Sequence, residues 1–138
     1  MPTNRNNQRS WARSYASFTG ACRKQFAFLL RQGFVAEVSV RPGEAAVSFV
    51  RADDGAAVEV LQEDAGEPWV TVRAQGRSAG LHRLIVRLDP AYRDARPAKG
   101  ADAEALVVYY ARFLRRHARD VLGPRTKPPP RTRAAPRR

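Results

Sequence analysis

One cysteine, one methionine, two histidines and three lysines are all that this 138-residue chain contains of those residue types. With Cys22 alone no internal disulfide can form, and with only His82 and His117 beside it a zinc or facial-triad metal site lacks its three or four convergent ligands. No cofactor is expected. Lysine is scarce against arginine while alanine is abundant, a bias that a GC-rich coding sequence produces without selection for binding. Long apolar runs are missing too: the densest, Phe26 to Leu30, is far shorter than the roughly 18 residues a membrane span needs. Residues 1–13 are polar and basic with no apolar segment behind them, so no secretory signal and a cytoplasmic location are expected. Neither a phosphate loop, a dinucleotide fingerprint nor a Gly-x-Ser-x-Gly elbow is present, and an enzyme is not expected.

Acid is absent from both ends. Residues 1–13 carry three arginines and residues 124–138 carry six basic side chains, with no Asp or Glu in either stretch. The intervening 14–123 has 16 basic and 13 acidic residues, so most of the net charge of +12 lies in the two tails. The 43% hydrophobic content supports one packed core. The expected organisation is a single domain over 14–123 between a disordered basic N-terminus, 1–13, and a disordered Arg/Pro-rich tail, 124–138.

Within 14–123 the periodicity of apolar residues changes twice. Trp11, Tyr15, Phe18, Cys22, Phe26 and Leu29 recur at spacings of three and four and predict an N-terminal helix, firmest from Ala21 to Gln32 and stopped by Gly33. Period-two alternation then predicts strands over Phe34–Arg41, Ala45–Ala52, Ala56–Gln62 and Trp69–Ala74. They are separated by Pro42-Gly43, by Asp53-Asp54-Gly55 and by an acidic loop holding Glu63, Asp64 and Glu67. Links this short require antiparallel neighbours, hence a four-stranded meander. Leu81, Leu84, Ile85 and Leu88 predict a short helix, with a fifth strand over Arg83–Leu88 as the alternative. Residues 89–100 are expected to be a loop, and a long helix is predicted from Asp102 to Leu122, ended by Gly123-Pro124. The fold class is α+β, with the helices packed on one sheet face.

Two surfaces stand out. The outward sheet face is expected to carry Val35, Val50, Leu61, Trp69 and Arg73 among polar neighbours as one contiguous patch, a pattern suited to a protein partner. The acidic loops beside it would steer a basic partner. Cover by segment 81–88 or by the N-terminal turns is the competing expectation. The basic end of the last helix, Arg112, Arg115, Arg116 and Arg119, continues into Arg125, Lys127, Arg131 and Arg133. Such a run can neutralise phosphates without reading sequence, so a nucleic acid is the alternative partner; a solubilising tail explains it equally simply. His117 reads as the edge of the helix stripe and Cys22 as a small buried apolar residue.

The order helix, four-stranded meander, helix, with the stretch Phe26-Ala27-Phe28-Leu29-Leu30-Arg31-Gln32-Gly33-Phe34 leading into the first strand, resembles small bacterial proteins, some of them similar to immunity proteins that neutralise polymorphic toxins. The resemblance spans about residues 20–122. It implies a protein partner and a cytoplasmic site of action, and it transfers no catalytic residue.

Overall fold

Each chain reversal in the sheet is written by a short turn. Pro42-Gly43 joins β1 (Phe34–Arg41) to β2 (Glu44–Arg51), with Gly43 at φ +77°. β2 reaches β3 (Ala57–Glu63) through residues 52–56, closed by Arg51 N–H to the Ala56 carbonyl at 2.8 Å and by Gly55 N–H to the Arg51 carbonyl at 2.8 Å. A longer loop leads to β4 (Trp69–Ala74). Gln75-Gly76, both at positive φ (56° and 74°), then fold the chain into β5 (Arg77–Gly80). Positive φ at both central residues is the turn whose twist matches paired strands. All four pairings are antiparallel, in the order β1-β2-β3-β4-β5.

These elements come from a computed structural model that describes residues 15–64, 66–98 and 100–123. The sequence expectations for 1–13 and 124–138, and for Trp11, lie outside them. Five strands replace the expected four. β5 (Arg-Ser-Ala-Gly) has no large apolar side chain to alternate, so it is placed by the turn before it and not by its own pattern.

Helix α1 covers residues 15–25, and the chain then tightens into a 3-10 segment, Ala27–Gln32. The expectation of an α-helix firmest over 21–32 is corrected there. The tightening turns at Phe26, whose N–H still reaches the Cys22 carbonyl (2.9 Å) while its own carbonyl accepts from Leu29 (3.0 Å). Spacings of four and then three keep Cys22, Phe26 and Leu29 all buried. Gly33, at φ +90°, ends the segment as expected.

β5 runs directly into α2 (Leu81–Leu88), which settles the 81–88 ambiguity in favour of helix. The expected loop at 89–100 contains a further turn of helix, α3 (Pro90–Arg93). Its first position is proline, and the Asp89 carboxylate accepts from Tyr92 N–H at 3.3 Å. The long helix α4 spans Ala103–Leu122, with Asp102 accepting from Ala105 N–H at 2.8 Å.

One sheet face carries the whole core. Val47, Phe49, Val58, Val60, Val70 and Val72 meet α1, α2 and α4 in a single buried cluster. Each such side chain contributes about 1.5–3 kcal/mol. Ser17 donates a hydrogen bond to Glu104, and Arg115 lies 5.9 Å over the Phe28 ring. The segment from residue 17 to 28 therefore runs alongside α4 in the same direction.

Candidate functional site

The strand alternation that builds the core also fixes what the opposite face presents. Register sets Val35, Val50, Ala57 and Arg73 side by side in one cross-strand row, and Ser39, Ala46, Leu61 and Trp69 in another. Between them runs a polar row: Glu37, Ser48, Glu59 and Thr71. No helix among the described residues packs there. Val35 is 68% exposed, Trp69 43% and Val50 40%; Arg73 is exposed and Leu61 half-buried. Segment 81–88 belongs to the other face, where Leu81 and Ile85 are buried in the core.

The expected patch is present in a different form. It is two apolar strips about 13 Å apart, the rise of four strand residues, divided by the Glu37–Glu59 row. The six ionisable side chains of this face are Glu37, Glu44, Glu59 and Glu63 against Arg41 and Arg73. A chain of net charge +12 thus turns a net negative face outward.

The acidic loop at one end of that face is built, not loose. Tyr15 donates its hydroxyl to the Asp64 carbonyl (3.0 Å), Asp64 N–H bonds the Gly43 carbonyl (2.7 Å), and Gln62 Nε2 bonds the Gly66 carbonyl (2.9 Å). Burial, reinforced by the Asp64 and Glu44 charges, raises the Tyr15 hydroxyl above its ordinary pKa. Glu67 pairs with Arg96 at 2.9 Å, so of the loop acids Glu63 and Asp64 stay exposed without it.

At the opposite end, sequence reasoning missed Arg51. The alternation that puts Val47 and Phe49 inward puts Arg51 inward too, and that continuation was the available signal. It is 2% exposed, holds the Asp54 carboxylate with Nε (3.0 Å) and Nη2 (2.8 Å), donates from Nη2 to the Leu122 carbonyl (3.3 Å), and lies 4.8 Å over the Phe34 ring. Two parallel bonds to one carboxylate are the strong form of this pair. They hold the Asp54 carboxyl below the usual carboxylate range, and Ala56 N–H adds a further bond. Asp54 is therefore a structural acid, while Asp53 remains exposed at the hairpin tip.

The helical layer presents the opposite sign. Arg112, Arg115, Arg116 and Arg119 stand at i, i+3, i+4 and i+7 of α4, all exposed. On the adjoining chain Arg23, Lys24 and Arg31 are exposed as well. Arg116 sits 5.7 Å over the Tyr92 ring, and with Arg115 over Phe28 two of the four arginines have an aromatic support. Arg125, Lys127, Arg131 and Arg133 lie outside the described residues.

Groups with chemical potential are quiet in this arrangement. Burial pushes the Cys22 thiol up to about 12, too high for a thiolate nucleophile. His117 interrupts the α4 geometry (φ −111°, ψ 21°), stacks 4.4 Å from Phe113 and faces Asp89 at 3.4 Å and Asp120 at 3.8 Å. Asp89 is a neighbour that sequence spacing did not reveal. Among the described residues no group of three or more His, Cys, Asp or Glu could hold a metal ion, and no helix is long and apolar enough to cross a membrane. A groove of about 650 Å³ opens between the β4–β5 hairpin, α2 and the end of α4. Its walls are Val72, Leu84, Leu88 and Val121, with Arg77 and Arg87 among its polar groups and Asp120 as its one carboxylate. That set offers apolar contact and positive charge, without a nucleophile–base pair.

Comparison with protein-family models, with curated proteins and with solved structures gave no match.

Proposed function

We propose that this protein is a non-enzymatic, cytoplasmic protein-binding module, immunity-like in its order of elements, whose partner docks on the outer face of the sheet. The observation that carries the reading is the pair of apolar strips, Val35–Val50 and Leu61–Trp69, over which no helix among the described residues packs and which glutamates hold apart. Trp69 supplies the large amphipathic anchor that interface centres favour. The four-to-two excess of glutamate over arginine selects a partner whose contact surface is basic with apolar side chains between its charges, and it speeds their encounter more than it tightens the complex. Affinity capture with the wild-type chain and with Trp69→Ala/Leu61→Ser tests this. The partner should be lost from the double variant and kept by Arg112→Ala/Arg116→Ala on the helical layer. Identical partner sets for all three proteins would refute it.

A second reading has its own observation, the arginine stripe of α4 beside Arg23, Lys24 and Arg31. Such a surface binds nucleic-acid phosphates without sequence preference. Affinity for a duplex should then fall steeply with salt and drop when the four stripe arginines become alanine or residues 124–138 are removed. Affinity that survives both changes disposes of this alternative.

A further inference from the structure

The two edges of the sheet are protected very differently. β5, at one edge, is four residues long and turns straight into α2. β1, at the other, is eight residues long, and among the described residues it pairs only with β2. Six of its eight residues are exposed, Val38 (42%) and Val40 (39%) among them, although both point to the core side. A long edge with exposed apolar side chains and no inward-pointing charge is a template for another strand.

The strand's own sequence identifies which strand fits. Arg41 and Glu44 close a two-residue turn and so form a hydrogen-bonded pair, which leaves the main-chain groups of Ala36, Val38 and Val40 directed at the open edge. A second copy of β1 can approach antiparallel with those groups matched in only a few registers. Centred on Glu37, two glutamates oppose each other. Centred on Val38, Glu37 meets Ser39. Centred on Ser39, Glu37 lies opposite Arg41 and Arg41 opposite Glu37 on one face, while Val38 and Val40 face each other twice on the other. Pro42, with no N–H, then ends the ladder opposite Ala36.

We propose that this protein forms a two-fold symmetric dimer through β1, with Ser39 on the axis, two Glu37–Arg41 pairs and a four-valine cluster that joins the cores beneath one continuous ten-stranded sheet. The contact is isologous and closes on itself, so it yields dimers and not fibres. A strand edge alone is a small interface, so the dimer is concentration-dependent. The proposal does not depend on the docking role of the outer face, because it is tested on the purified chain with no other protein present.

Sedimentation velocity across a concentration series should show reversible dimerisation of the full chain. Glu37→Arg alone and Arg41→Glu alone should each weaken it about tenfold by setting like charges opposite, and the double reversal should restore it. Ser39→Cys should cross-link under mild oxidation, since directly opposed residues are about 4.5–5.5 Å apart. Val35→Cys, whose two copies would sit about 27 Å apart along the paired strands, should not; Cys22 is fully buried and does not compete. A chain that stays monomeric up to its solubility limit, a double reversal that fails to restore the dimer, or Ser39→Cys cross-linking no faster than Val35→Cys would overturn the proposal.

Discussion

The two faces of the sheet are read from the same strands one residue apart, yet their chemistry is opposite. The inner face is valine, phenylalanine and alanine under three helices, and its one buried charge, Arg51, is bonded on several sides. The outer face carries four glutamates, two arginines and two thin apolar strips, with no helix among the described residues over it. Beyond the inner face lies a helical layer whose exposed charge is mainly arginine. Period two thus sorts one stretch of chain into a side that holds the fold and a side that carries its exposed charge, and the helices separate the acidic pole from the basic one.

Neighbouring residues give the sharpest way to break the comparison. Phe49→Ala, inward, should cost about 3–5 kcal/mol, whereas Val50→Ala, outward, should change stability by no more than about 0.5 kcal/mol. Urea titration of the pair measures both; comparable losses would mean that the outer face is covered. Arg51 comes next. Arg51→Ala removes the guanidinium from Asp54 and leaves the Leu122 carbonyl without it, at about 3 kcal/mol, while Arg51→Met, which keeps the volume and leaves a partly exposed carboxylate to water, should cost about 1 kcal/mol.

Acid titration isolates the Asp54 half of that pair. Its carboxyl is depressed in the fold by the Arg51 hydrogen bonds, so its contribution is fully present above the ordinary carboxylate pKa of about 3.9 and is lost as pH falls below it. Asp54→Asn should therefore be less stable than wild type at neutral pH and should show a shallower loss as the pH falls below the ordinary carboxylate range. Equal slopes would place the acid sensitivity elsewhere. The smallest effect on stability belongs to the outer face: Glu59→Lys should leave the urea midpoint within about 0.5 kcal/mol of wild type yet slow association with a basic partner and flatten its salt dependence.

Where side chains alternate, the architecture was legible. Val47–Phe49, Val58–Val60 and Val70–Val72 announce β2, β3 and β4 with their inner faces, and the α4 stripe announces its helix. What escaped was set by backbone chemistry or by contacts distant in sequence. β5 follows from Gln75-Gly76 at positive φ, and α3 from a capping Asp89 before proline. The 3-10 segment keeps the helix's apolar face while changing its pitch, which no pattern of types distinguishes. Of the candidate surface, Val35, Val50, Trp69 and Arg73 were placed outward by alternation alone. Their division into two strips needed the register, which fixes Trp69 opposite Leu61 and Arg73 opposite Ala57.

The end of α4 carries a mechanical consequence. Arg51 grips the Leu122 carbonyl at the base of the β2–β3 hairpin, and a Cβ on Gly123 would come within 2.8 Å of Gln75 Nε2 on the β4–β5 turn. The point where the chain passes residue 123 is thereby hydrogen-bonded to one reversal of the sheet and packed closely against another. A pull applied beyond it, by a fused tag or by a bound polymer, is shared between the last turn of the helix and the β2–β3 hairpin through that bond.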